Sequence, residues 1–313
     1  MIKIYKTDDG VIREIEEIEA GCWIKMDKPT YDETSSIANK MNIELADIRA
    51  ALDDEESARI SLEDDYTLII VDIASAEIRN NTEAYTTIPL GIILKDSCII
   101  TVCSQETPVL NYFTDGVVRD FSTKKRMRFV YQILYRTSVN YQLCLRVINR
   151  KRSQIEERIH EETEDSELIN LHELESNLVY FVTSLRGNGA VLERLTRYER
   201  IQQYPEDKEL LEDVIIENKQ AIEMTQVYRE IINGTRELLS TVINNRLNNV
   251  MKVLTSVTIV MAIPTVISGL YGMNVNSDGM PLANLVGGFG MICLLITVIC
   301  LIAAIILRKR NML

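Results

Sequence analysis

Small and neutral polar side chains, with one methionine among them, recur along one side of an otherwise apolar C-terminal segment. They are spaced by three or four residues, which places them on one face of a helix. The stripe consists of Asn248, Met251, Thr255, Thr258, Ala262, Thr265 and Gly269. Hydroxyl groups gain nothing from lipid, so such a stripe indicates either packing against another helix or the wall of a water-filled pore. The pattern alone leaves both interpretations open.

The segment that carries this stripe is the first of two that can cross a membrane. From Val253 to Tyr271 there are 19 residues without a charge, and from Leu282 to Leu307 there are 26. A hydrocarbon core about 30 Å thick needs about 20 helical residues. The sequence therefore predicts two transmembrane helices joined by a loop at 272–281. Membrane packing tolerates the internal Pro264.

The distribution of basic residues predicts how these two helices are oriented. Arg246 and Lys252 precede the first span, three basic residues at 308–310 follow the second, and Asp278 is the only charged residue between them. By the positive-inside rule, both ends are cytoplasmic and the loop is external. We therefore expect a multi-pass protein of the cytoplasmic membrane, with the basic tail at 308–313 inside.

Composition excludes several classes of function. The 46 acidic residues outnumber the 34 basic ones and give a net charge of -12, which repels nucleic acid and favours cationic partners. The six cysteines have no CxxC spacing, and the N-terminus has no secretory signal, so a reduced, cytoplasmic location is expected for the first 250 residues. No nucleotide-binding or hydrolase motif occurs, which argues against an enzyme.

The chain before the membrane divides into three predicted parts. Residues 1–121 alternate β-rich and helical runs, which predicts an α/β domain. The predicted strands are Ile2–Tyr5, Cys22–Met26, Tyr66–Ile73, Thr86–Leu94 and Cys98–Val102, and the predicted helices are Tyr31–Asp53 and Thr107–Asp115. Residues 122–206 predict a hairpin of two or three helices, with a helix break at the Gly-Asn-Gly of 187–189. Residues 207–271 carry apolar or small side chains at seven-residue steps and predict a stalk helix that continues into the first span. Such a rod needs copies of itself to pack against.

A short motif at the outer end of the first span carries a family resemblance. In Tyr271-Gly272-Met273-Asn274 the chain resembles the CorA family of magnesium channels. The resemblance extends upstream through 248–254 and Pro264, and residues from about 208 to 274 align without gaps. The N-terminal part is similar only in outline, for example at Trp23-Ile24 followed by Pro29-Thr30.

The resemblance implies a funnel-shaped homopentamer in which five copies of the first span line a pore. Gly272, Met273 and Asn274 would select the ion, with Asn274 forming the external ring. Mg²⁺ gives up its water reluctantly, and amide oxygens can accept hydrogen bonds from that water shell. Gly272 would give the backbone freedom to turn.

The same resemblance assigns pore and gate positions. Together with the hydroxyls of the stripe, the pore-lining set is Asn248, Met251, Leu254, Thr255, Thr258, Ala262 and Thr265. Met251 and Leu254 would form a hydrophobic constriction that closes by dewetting. Ala262 departs from a branch of the family that has a second methionine there, so the constriction is wider or is shifted to Leu254.

Regulation by intracellular Mg²⁺ is also implied. Asp213 occupies the stalk position that shares a regulatory Mg²⁺ with an acidic residue of a neighbouring α/β domain, and Asp72 is our expected partner. The alternative is that Asp213 is an ordinary solvent-facing acid.

Two other functions compete with Mg²⁺ uptake, which could extend to Co²⁺ and Ni²⁺. A zinc transporter of the same fold is one, although zinc-transporting relatives usually replace the methionine that is Met273 here. A membrane-anchored coiled-coil scaffold is the other, and it leaves the loop motif unexplained. His160 and His172 lie near seven carboxylates between Glu156 and Glu167, a pattern that favours a solvated acidic helix over a metal site.

Overall fold

A computed structural model describes residues 1–8, 10–79, 82–158, 165–199, 204–274, 280–282, 285–310 and 312. The chain forms two compact units, Met1–Arg236 and Glu237–Leu313.

The first unit is built on a seven-stranded sheet in the order β2-β1-β3-β7-β6-β5-β4. The strands are β1 Ile2–Asp8, β2 Val11–Ile15, β3 Cys22–Asp27, β4 Arg59–Leu62, β5 Tyr66–Arg79, β6 Thr82–Lys95 and β7 Cys98–Cys103. Strands β3 and β7 pair in parallel, and the other neighbours are antiparallel. Three short helices complete this part: α1 Tyr31–Met41, α2 Leu45–Ala50 and α3 Pro108–Thr114.

Both faces of the sheet are buried at its central strands. On β5, Ile69 and Val71 belong to one hydrophobic core and Leu68 and Ile70 to another, as the two-residue period of a strand requires. Because neither face meets water, the central strands are nearly continuous hydrophobic runs. The predicted α/β domain is therefore confirmed.

Four long helices follow: α4 Arg126–Arg158, α5 Asp165–Leu195, α6 Pro205–Tyr271 and α7 Gly288–Lys309. Helix α6 begins with proline at its first position, where the missing amide costs nothing, and the Tyr204 amide donates to Asp207 Oδ2 at 3.0 Å. It continues without interruption through Pro264.

Three sequence predictions need correction. The helical run at Tyr31–Asp53 is two helices, because Asn42 adopts a left-handed backbone (φ 47°) that ends α1. The sequence pattern does not predict strands β2 and β4. Both are edge strands without a fully buried residue, so their hydrophobic signal is weak.

The predicted break at 187–189 is absent, since α5 runs straight through it. A Cβ on Gly187 would lie 3.3 Å from the Cβ of Ala58, so this glycine permits close packing of a helix.

The second unit contains the apolar C-terminal part of α6 and all of α7. Helices α6 and α7 are each long and apolar enough to cross a membrane, and only 6% of the most apolar stretch of each is buried in the single chain. Apolar surface of this extent is covered by lipid or by further copies of the chain. Helix α7 begins at Gly288, six residues after the predicted start of the second span.

Candidate ion pathway

The predicted pore-lining positions all lie exposed on α6 in the single chain. They are Asn248, Met251, Leu254, Thr255, Thr258, Ala262 and Thr265. The side of α6 that meets α7 is marked by Ser256, whose buried hydroxyl donates to Met312 O at 2.8 Å, and by Val260, whose carbonyl accepts from Cys300 Sγ at 3.7 Å. At about 100° per residue, the pore-lining stripe is centred roughly opposite that side. Packing within one chain therefore does not account for the stripe.

Two threonine hydroxyls of the stripe donate hydrogen bonds to the backbone of their own helix. Thr258 Oγ1 donates to Leu254 O at 2.8 Å, and Thr265 Oγ1 donates to Met261 O at 2.9 Å. Because the hydroxyl protons are used on the helix itself, the free lone pairs remain as acceptors. Water bound to a cation presents its hydrogens outward, so this surface suits a hydrated cation.

Two shallow grooves follow the exposed face of α6. The one nearer Tyr271 has a volume of about 410 Å³ and includes Thr258, Ala262 and Thr265 in its lining. The other, of about 480 Å³, is lined by Asn249 and by apolar side chains that include Leu254. Both grooves are lined mainly by apolar side chains. The threonine hydroxyls lie in the groove nearer Tyr271, and Leu254 of the expected constriction lies in the other.

The C-terminal end of α6 leads into the predicted selectivity motif, Gly272, Met273 and Asn274. The Gly272 amide donates to Ser268 O at 2.9 Å and the Met273 amide to Leu270 O at 3.4 Å, so both continue the last turn. Tyr271 Oη donates to Pro281 O at 2.7 Å and ties the loop to the helix end. Asn274 is exposed immediately beyond. The motif therefore ends the helix with its amide side chain free to meet solvent.

Gly272 lies in the turn at the end of α6, and its expected role in turning the chain stays a prediction. Its φ is not positive; left-handed backbone occurs instead at Leu282 (φ 64°) and Gly287 (φ 88°). A Cβ on the next residue, Gly288, would lie 2.0 Å from the carbonyl oxygen of Leu282. Sequence reasoning missed this site, although a Gly-Gly pair before an apolar run is a turn signal.

The two predicted regulatory carboxylates have different surroundings. Asp213 is exposed on α6 beside the fully buried Val214. Asp72 lies half-buried on β5, where the Asn188 side chain contacts its backbone twice: Asp72 N donates to Asn188 Oδ1 at 2.8 Å, and Asn188 Nδ2 donates to Asp72 O at 2.7 Å. Burial raises the pKa of the Asp72 carboxyl to about 6, and a hydrogen bond from Ser184 opposes that rise.

A multidentate metal site is not formed by one chain in the part that the structure describes. There, no three His, Cys, Asp or Glu side chains are grouped as metal ligands. His172 is exposed on α5, whereas His160 and Asp278 lie outside the described residues.

The chain combines an α/β unit with a long helix that becomes apolar. One face of that helix carries oxygen atoms and ends at an exposed amide, which defines a membrane protein that interacts with cations. The comparisons agree. The family described as CorA-like Mg²⁺ transporter protein matches residues 19–309, and the chain belongs to that family. It is therefore a divalent cation transporter and not an enzyme.

Individual relatives are similar over nearly the whole chain. A Methanocaldococcus jannaschii protein named cobalt/magnesium transport protein CorA is 29% identical over 298 residues, covering 92% of this chain and 90% of the relative. The complete structure of the CorA magnesium transporter from Methanocaldococcus jannaschii matches with a TM-score of 0.83 and 26% identity, covering 99% of this chain and 98% of that one. The full-length CmaX protein shares the fold at 16% identity, with a TM-score of 0.73 and coverage of 98% and 96%.

Proposed function

We propose that this chain assembles into a homopentamer that conducts Mg²⁺ passively into the cell across the cytoplasmic membrane, with both termini cytoplasmic. The observation that carries the proposal is the acceptor-rich face of α6, which lies opposite α7 and ends in the exposed Asn274. Five such faces turned inward would enclose a polar path, while α7 would meet lipid. Co²⁺ and Ni²⁺ are further candidate ions, since a relative is named for cobalt and magnesium transport.

A ring of Asn274 side chains accounts for the choice of a strongly hydrated ion. The motif Gly272, Met273 and Asn274 supplies neutral amide oxygens at the external entrance, and these accept hydrogen bonds from the ion's water without displacing it. The Thr258 and Thr265 oxygens would continue the same kind of contact inside the pore. Selectivity would thus rest on recognition of the hydrated ion.

The membrane potential supplies the driving force. Moving one charge through 100 mV is worth about 2.3 kcal/mol, so a divalent ion gains about 4.6 kcal/mol, or more than three decades of accumulation. No coupled ATP hydrolysis is needed.

Gating would occur nearer the cytoplasmic end of the first span. Met251 and Leu254 from five copies would form a constriction that excludes water when narrow. Asp213 of one subunit and Asp72 of its neighbour would share a regulatory Mg²⁺, which holds the subunits in the closed arrangement. When cytoplasmic Mg²⁺ falls, the emptied carboxylates repel and the constriction opens.

Ion uptake into liposomes tests this function. The purified chain should admit Mg²⁺ under an inside-negative potential, and Asn274→Ala should reduce uptake at least about tenfold while leaving the oligomer intact. Asn245 is exposed on the same helix, so Asn245→Ala is the matched control and should conduct normally. Zn²⁺ uptake in preference to Mg²⁺, or unchanged Mg²⁺ uptake by Asn274→Ala, would contradict the proposal.

A further inference from the structure

A second candidate site lies in the first unit, remote in sequence from the pore-lining residues. A cavity of about 300 Å³ opens between the segment that joins α3 to α4, helix α4, and the first turns of α6. Its apolar lining comes from Val117, Val118 and Leu210, and its cationic lining from Arg119 and Arg136. This volume is at the lower end of the range for small-molecule sites and exceeds what a bare ion fills.

The two arginines are notable because neither is neutralised. No carboxylate lies within salt-bridge distance of Arg119 or Arg136 in the described residues, in a chain that has 46 acidic residues and 34 basic ones. Arg136 is positioned over the Tyr112 ring, with 5.0 Å between the guanidinium carbon and the ring centroid. Guanidinium groups bind phosphate and carboxylate oxygens through paired hydrogen bonds. The cavity wall therefore carries positive charge that an oxyanion would balance.

Gln132, also on the cavity wall, adds a requirement for a hydrogen-bond donor. Its Nε2 donates to Arg119 O at 3.3 Å, which fixes the orientation of the carboxamide. The Oε1 atom is then buried without a hydrogen-bond partner in the described residues. A buried acceptor without a donor costs about 1–3 kcal/mol. A ligand hydroxyl that reaches this atom after a small shift of the carboxamide would relieve that cost.

We propose that this cavity binds a small phosphate monoester. Arg119 and Arg136 would hold the phosphate, the apolar side would contact the carbon chain, and a hydroxyl would serve Gln132. Glycerol 3-phosphate has all three features. Inorganic hydrogen phosphate has the charge and one hydroxyl, and sulfate has the charge alone. These three anions separate the contributions of charge, hydroxyl and carbon chain.

Calorimetric titration of the full-length protein in detergent, without divalent cations, tests the site. Glycerol 3-phosphate should bind more tightly than phosphate, and phosphate at least about tenfold more tightly than sulfate. The Arg119 side chain is exposed, so Arg119→Gln should fold normally. It should weaken glycerol 3-phosphate binding at least about tenfold. Gln132→Leu should remove the preference for phosphate over sulfate.

Arg146→Gln is the matched control, because it removes the same charge from an exposed position elsewhere on α4. It should bind like the wild type. Equal binding of all three anions, equal weakening by Arg146→Gln, or no binding would each overturn the proposal. The readout is binding, so the result does not depend on whether the chain transports Mg²⁺.

Discussion

At the scale of single residues, Asp72 is the most informative group outside the ion pathway. Burial raises the pKa of its carboxyl from 3.8 to about 6, and Ser184 donates a hydrogen bond that lowers it in part. The folded protein therefore holds the Asp72 proton more tightly than the unfolded chain does. Ionised Asp72 costs folding free energy, and this cost is absent below the unfolded pKa near 4 and complete above about pH 6.

We predict that Asp72→Asn stabilises the protein at pH 8 and not at pH 4. The gain at pH 8 should be up to roughly 2 kcal/mol, because the amide keeps an acceptor for Ser184 without the charge. Thermal unfolding of the full-length protein in detergent, without divalent cations, measures it. Asp54→Asn removes an exposed carboxylate and is the control. A wild-type-like midpoint for Asp72→Asn at pH 8 would mean that the buried charge is not costly.

At the scale of elements, the turn between α6 and α7 depends on one close contact. Gly288 begins α7 where a Cβ would lie 2.0 Å from the Leu282 carbonyl oxygen, and real Cβ atoms do not approach a carbonyl so closely. Two residues later, Gly290 has nothing within 4 Å of its Cβ position. The two glycines thus form a natural pair for comparison.

We predict that Gly288→Ala disturbs the turn and Gly290→Ala does not. Gly288→Ala should lower the thermal midpoint and reduce Mg²⁺ uptake, because the loop that carries Asn274 must move. Gly290→Ala should keep or raise the midpoint, since alanine is favoured over glycine in a helix by up to about 1 kcal/mol. Equal effects of both substitutions would show that the contact at Gly288 does not constrain the turn.

Elements with a strong local signal could be predicted from sequence, and those set by tertiary contacts could not. The uncharged run at Val253–Tyr271 and the buried strand pattern at Tyr66–Ile73 identify α6 and β5 directly. Edge strand β2 has no such signal. Helix α5 continues through 187–189 because Asn188 hydrogen bonds to the backbone of Asp72, a contact 116 residues away in sequence. The orientation of the predicted pore-lining stripe away from α7 could likewise not be predicted, because it is set by the tertiary contacts of Ser256 and Cys300.

At the scale of the whole molecule, the proposed regulation needs more than one chain. Asp213 is exposed, and within the described residues of one chain no three acidic, His or Cys side chains group around a metal position. Mg²⁺ bound between subunits would oppose their separation, so occupancy would report on assembly as well as on gating.

We predict that Mg²⁺ in the millimolar range protects the wild-type oligomer from proteolysis and that Asp213→Ala weakens this protection. The adjacent Glu212→Ala removes an equally exposed carboxylate and is the matched control. It should be protected like the wild type, because the proposed site uses Asp213. Protection that is unchanged in Asp213→Ala, or equally lost in Glu212→Ala, would assign Asp213 to general surface charge.

The central claim, that the stripe on α6 lines the ion path, can be tested by chemical modification of single cysteines. In a background in which Cys293 and Cys300 of α7 are alanine, Thr265→Cys should conduct Mg²⁺ until a membrane-impermeant, positively charged thiosulfonate is added outside. Modification should then abolish the Mg²⁺ current, because a bulky cation would occupy the path. Leu294→Cys, exposed on α7, is the control and should keep its current. Block at Leu294→Cys with full current at Thr265→Cys would contradict the account.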